Sequence, residues 1–190
     1  MYQVFTDGSS SRKYKAIGTS YIVFKDKNST PIKTFNKGFK DIWARNGIAE
    51  LLGVYYFLYD LCEEGFIEKD SEITIYSDSQ YVVNELTIWF RDQMMKNFFE
   101  TKNREVIIYI LFMLYILREE YGVSIKFQWI RGHQKEETFE VYGNNLADSL
   151  AVEARNQEDS ISVENLVNEI KNNIQSEETL NFIRKVYLGI

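Results

Sequence analysis

The hydrophobic period of this chain changes near residue 46, and that change constrains the fold more than any other feature. Before it, short apolar runs at residues 2–6, 18–24 and 32–39 are rich in β-branched and aromatic residues. Such runs mark strands. Turn material at residues 25–31, with the only proline of the chain, separates the second run from the third. An antiparallel meander is therefore expected. After the change, Ile48, Leu51, Leu52, Tyr55, Leu58, Tyr59 and Cys62 recur at helical spacing and end near Gly65. Further on, strands are expected at 73–76 and 124–130. Helices are expected at 79–86, 104–121 and from Asn144 or Asn145 to about Ala154, with 87–103 helical or looped and 131–142 a polar loop. Three antiparallel strands, a helix, then strands alternating with helices make a mixed α/β sheet.

The apolar run at residues 106–117 is too short to span a bilayer and reads as a helix buried on all sides. Met1 leads straight into the first strand without a signal peptide, so a soluble, cytoplasmic protein without membrane association is expected. One cysteine, Cys62, excludes an internal disulfide framework and a cysteine-based zinc site. One histidine, His133, excludes a multi-histidine centre, so a bound metal would be a hard cation on oxygen ligands. The net charge is −6, yet residues 1–45 carry nine Lys and Arg against three acids. Residues 1–45 form a basic surface on an acidic protein, which suits a nucleic-acid partner better than the net charge suggests.

Two strands end on acids: residues 2–6 on Asp7-Gly8, and residues 73–76 on Ser77-Asp78. Alone, Asp-Gly is an ordinary turn. An acid at the end of an apolar strand must still be paired, solvated or bound to a cation, and ligands gather at the carboxyl ends of strands in such sheets. Glu50 stands one turn into the first long helix, and Asp148 is expected in the first turn of its own. Each alone suits a helix dipole. Together the four acids could hold two divalent ions for in-line displacement at a phosphodiester.

The elements Phe5-Thr6-Asp7-Gly8-Ser9, Ala49-Glu50-Leu51, Ser77-Asp78-Ser79-Gln80-Tyr81-Val82, Trp129-Ile130-Arg131-Gly132-His133 and Asn144 to Ala151 match in order, element type and approximate spacing over residues 1–154. In these the chain resembles type 1 ribonuclease H. The resemblance implies a ribonuclease H-like fold, a five-stranded mixed sheet with three antiparallel strands then two parallel, flanked by helices. It implies an endonuclease that hydrolyses the RNA strand of RNA–DNA hybrids with two Mg²⁺ ions, Mn²⁺ being the alternative, and leaves 5′-phosphates. Carried over by position, Asp7 would bridge both ions, Asp148 would complete the site that activates water, and Glu50 and Asp78 would serve the other. His133 matches a mobile loop histidine that helps proton transfer or product release. Asn46 and Gln80, with backbone near Gly8 and Ser9, match positions that read 2′-hydroxyls, and Asn144 matches a residue near the scissile phosphate. As plain structure, Asn46 could be a helix cap and Gln80 a surface residue.

The chain departs from this pattern in four places. Its first loop is Ser-rich and basic. Its counterpart of the family's basic handle, about residues 89–104, has Arg91, Lys96, Lys102 and Arg104 with aromatics Trp89, Phe90, Phe98 and Phe99, but also Asp92 and Glu100. The loop after His133 carries Glu136, Glu137 and Glu140, read as solvating rather than ligating. Residues 155–190 form a C-terminal helical extension with Val163, Leu166, Ile170 and Ile174 on one stripe. It is expected to pack on the domain, self-associate or dock a protein partner in DNA replication. The rival readings are a non-catalytic nucleic-acid-binding module and a DNA-cutting nuclease of the same superfamily.

Overall fold

Strand β1 (Tyr2–Ser11) organises the molecule because its alternate residues serve two different layers. In the computed structural model, which describes residues 1–98, 100–135, 137–157, 161–174 and 176–189, the sheet order is β3-β2-β1-β4-β5. Strands β2 (Ala16–Lys25) and β3 (Lys33–Lys40) run antiparallel in a meander with β1. Strands β4 (Glu72–Ser77) and β5 (Ser124–Trp129) run parallel to it. This is the mixed five-stranded sheet of the ribonuclease H-like fold. Phe99, Glu136, residues 158–160 and the side chain of Ile174 lie outside the described structure.

Successive side chains of a strand point to opposite faces. Tyr2 and Val4 join one core with helix α1 (Asn46–Glu64) and helix α4 (Arg104–Tyr121), whereas Phe5 packs with Tyr76, Ile130 and Ala147 beneath helix α5 (Phe139–Asn156). On β2 and β3 the cross-strand pair Gly18 and Gly38 lies under α5. A Cβ there would stand 2.1 Å from the Ala151 carbonyl and 2.2 Å from that of Ala154. The missing side chains let the helix lie directly on the sheet.

Three segments differ from the sequence expectation. Strand β1 does not stop at Thr6 but runs through Asp7, because antiparallel pairing with β2 continues to Ser11↔Ala16. Its parallel pairing with β4 stops at Phe5↔Tyr76, so Asp7 stands where the neighbouring strand ends. Helix α5 begins at Phe139, not at Asn144, since Thr138 accepts the Val141 N–H (3.3 Å) as its cap. The expected helix at 79–86 is α2 (Gln80–Asn84) followed by a π-helical stretch, Glu85–Trp89, and then α3 (Phe90–Met95).

The extension supplies helix α6 (Val163–Ile174) and helix α7 (Ser176–Leu188). Val163, Leu166, Ile170, Leu180 and Ile183 are buried in the same core as α1 and α4. A helix apolar on all sides needs cover on several sides; α1 packs on one flank of α4, α6, α7 and β5 on others, while Tyr109, Phe112, Leu114, Tyr115 and Ile116 stay half-buried. Tyr187 donates to the Leu111 carbonyl (2.9 Å). The Lys40 N–H donates to the Ile161 carbonyl (2.9 Å) and caps the outer edge of β3. No helix among the described residues is long and apolar enough to cross a membrane.

Candidate active site

Four elements converge on an open cleft of about 430 Å³ at the carboxyl end of β4. Strand β1 brings Asp7, Gly8 and Ser9; α1 brings Asn46 and Glu50; Asp78 follows β4, and Asp148 comes from α5. His133 closes the rim from the loop after β5, exposed and in a left-handed conformation (φ 52°). All four acids foreseen in the sequence thus share one cleft. Asp148 reaches it from the middle of α5, because that helix starts earlier than its sequence suggested.

The alternation of β1 sets the two sides of the site. Asp7 faces the α5 layer, while Gly8 faces α1. A Cβ on Gly8 would stand 2.2 Å from the backbone nitrogen of Glu50, so glycine is what allows α1 to bring Glu50 to Asp7. Gly8→Ala is expected to lower stability by roughly 1–3 kcal/mol in chemical denaturation, because backbone rather than a side chain must give way.

The carboxylates are held by polar neighbours. Glu50 accepts from Asn46 Nδ2 (2.6 Å) through one oxygen and from the Ser79 hydroxyl through the other. Asn46 is therefore the first residue of α1, orienting an acid, and not its cap. Asp7 accepts the Gly8 N–H (2.7 Å). Asn144, 2% exposed, stands beside Asp78 and favours its charged form. Gln80, at the start of α2, is exposed and lies outside the cleft lining.

Burial pushes Asp7 up to about 8, helped by the charge of Asp78 and then of Asp148 and Glu50. Burial also raises Glu50, with Asp78 adding to it against the hydrogen bonds from Ser79 and Asn46. Burial raises Asp78, opposed by Asn144 and by His133. Among the described residues none of the four acids is in an ion pair. A cluster of oxygen donors whose charges resist one another, with no protein cation between them, fits hard divalent ions. Among the described residues no three such side chains are drawn into one compact cage. A bound ion would therefore complete its shell with water or substrate oxygens, as Mg²⁺ ordinarily does.

The sequence pattern puts Arg155 at the start of the extension, but the fold brings it into the site. It lies in the last turn of α5, lines the cleft, and donates to Ser9 Oγ (2.8 Å) and the Ser10 carbonyl (3.3 Å). The signal was available: Asp148, Val152 and Arg155 lie four and seven residues apart, on one helical face. The handle is weaker than its sequence suggests. Phe90 and Phe98 are core residues, 6% and 1% exposed, and only Trp89, at 42%, remains as an outward aromatic among those described. Arg104 is tied to Glu177 of α7 (3.2 Å). Glu140 pairs with Lys27 (2.6 Å), outside the cleft.

The sequence model of the RNase H family matches residues 1–156. The ribonuclease HI of Helicobacter pylori strain 26695 is 30% identical over 150 residues, which cover 78% of this chain and 89% of that protein. The ribonuclease H of Orientia tsutsugamushi strain Boryong is 31% identical over 91 residues, 47% of this chain and about half (49%) of the relative's length. The crystal structure of LC11-RNase H1 in complex with RNA/DNA hybrid superposes with a TM-score of 0.53 at 16% identity. That match covers 82% of this chain and 96% of the other, and shows the shared fold.

Proposed function

This chain belongs to the ribonuclease H family, and we propose that it hydrolyses the RNA strand of RNA–DNA hybrids at the four-carboxylate cleft. The observation that carries this reading is the meeting of Asp7, Glu50, Asp78 and Asp148 from four separate elements in one cleft. Asp7, Glu50, Asp78 and Asp148 are the residues that would hold two Mg²⁺ ions, with Mn²⁺ as the alternative. Bound there, such ions neutralise phosphate charge and activate a water for in-line attack.

The chain's own groups do the rest. Asn46 and Ser79 fix the rotamer of Glu50, and Asn144 favours the charged form of Asp78. Gly8, Ser9 and Asn46 along the rim, with Gln80 beside it, read 2′-hydroxyls across the minor groove, the feature that separates RNA from DNA. His133 moves a proton at the leaving oxygen. The reading carries with it a cytoplasmic role in clearing RNA during DNA replication.

The test is cleavage of a strand-labelled hybrid with and without Mg²⁺, beside duplex DNA and duplex RNA. Metal-dependent cutting of the RNA strand by the intact protein, abolished by Asp78→Asn, supports the reading. Cutting of duplex DNA instead assigns the DNA-nuclease branch, and binding without cutting assigns a non-catalytic module. His133→Ala is expected to slow turnover by roughly 10²-fold, less than any of the four acid substitutions. A complete loss in single-turnover assays would give His133 a larger role than proton transfer.

A further inference from the structure

Among the described residues the two most exposed large apolar side chains are neighbours: Ile42 at 65% and Trp43 at 68%. They project from the turn between β3 and α1, and that turn is rigidly built. Asp41, wholly buried, accepts the backbone N–H of Trp43 (3.2 Å), the backbone N–H of Arg45 (2.8 Å) and Arg45 Nε (3.0 Å). Its carbonyl accepts the Ala44 N–H (2.9 Å), and Ala44 is held in a left-handed conformation (φ 46°). An alanine kept at positive φ is a strain that the surrounding hydrogen bonds must hold in place.

Two further observations say what the turn meets. The Asp41 N–H donates to the Lys15 carbonyl (2.8 Å), which joins the turn to the tip of the β1–β2 hairpin. That tip carries Arg12, Lys13, Tyr14 and Lys15, all exposed. Arg45 is held between buried Asp41 and Glu164 of α6 (2.9 Å), so the positive charge of the patch comes from Arg12, Lys13 and Lys15 on the tip. Asn46, three residues beyond Trp43, lines the cleft, so the patch is continuous with the carboxylate site. An indole beside basic side chains is the pairing that grips single strands: cations take phosphates and the ring stacks on a base. Bases inside a duplex have both faces covered by their neighbours, so along a strand it is the unpaired bases that offer free faces.

We infer that Ile42, Trp43 and the Arg12–Lys15 tip form a second nucleic-acid site, which stacks unpaired nucleotides of a strand running on past the hybrid in the cleft. The inference rests on the proposed nuclease function only for the position of the hybrid. The test measures affinity by fluorescence anisotropy, in EDTA, for three probes: a blunt hybrid, the same hybrid with a single-stranded thymidylate extension at either end, and free oligothymidylate. Wild type is expected to bind an extended hybrid about tenfold tighter than the blunt one. Trp43→Ala should erase that difference and weaken oligothymidylate binding, and Trp43→Phe should restore part of both. Lys13→Ala should lower the salt slope of binding to the extended hybrid by about one.

Equal affinity of wild type for blunt and extended hybrids overturns the inference, as does unchanged oligothymidylate binding by Trp43→Ala. So does a dimer of the wild type that Trp43→Ala dissociates, since that gives the patch to a second copy. If the hybrid is bound but never cut, the stacking differences still stand on their own, and the nuclease reading alone is lost.

Discussion

Asp7→Asn is expected to abolish RNA-strand cleavage, a loss of at least ~10³-fold, while raising the melting temperature of the metal-free protein. The two effects have one cause. Asp7 is 5% exposed, and burial together with Asp78, Asp148 and Glu50 raises its carboxyl from 3.8 to about 8. Below about pH 4 both folded and unfolded chains keep this proton, and it does not affect stability. Between about 4 and 8 the unfolded chain releases it and the folded chain holds it, so folding weakens as pH rises. Asparagine removes this penalty. The gain in Tm should be near zero at pH 4 and full by pH 8, where ~1 kcal/mol or more corresponds to about 2–4 °C for a chain of this size. Mg²⁺ should act in the same direction on wild type, raising its Tm with concentration, and have a smaller effect on Asp7→Asn. A variant that loses stability at pH 8 yet still cuts the hybrid would remove Asp7 from the site.

Removing residues 157–190 is expected to leave a chain that does not fold, although the family match ends at residue 156. Burying one aliphatic side chain contributes about 1.5–3 kcal/mol. Val163, Leu166, Ile170, Leu180 and Ile183 are each buried on α4 or beside it, so the extension contributes on the order of 10 kcal/mol. That equals the whole stability of an ordinary domain, about 5–15 kcal/mol. Truncation would also remove the Phe182 ring from Phe112 and Tyr115 and the Tyr187 hydrogen bond from the Leu111 carbonyl, opening that flank of α4 to water. Circular dichroism and urea denaturation of the truncated chain check this; a cooperative transition at the wild-type midpoint would make α6 and α7 an independent appendage. Ile183→Ala in the full chain gives the graded version, an expected loss of 2–5 kcal/mol.

The same packing bears on the extension's part in the function. The apolar stripe of α6 is spent on this chain's own core, and Arg45 and Arg104 are paired with Glu164 and Glu177 of the extension. Two cations at the edge of the nucleic-acid face are thereby held to protein acids. Hybrid affinity should be modest and fall steeply with salt, because the remaining contacts are exposed lysines and arginines.

The sequence by itself determined what rests on neighbours along the chain. The strand periods of β1 to β3, the helical spacing of α1 and the acids at Asp7, Glu50, Asp78 and Asp148 are local patterns, and each lies in the element expected of it. The tertiary structure decided what depends on residues far apart. Arg155 entered the site because it meets Ser9, 146 positions away. Phe98 left the handle because the core claimed it, and Asp148 moved to mid-helix because Thr138, ten residues earlier, supplied the cap. The stripe of α6 was visible in sequence, but its partner was not, since amphipathicity fixes that a face must be covered and not by what. Periodicity records which way a side chain points; only packing records what stands there.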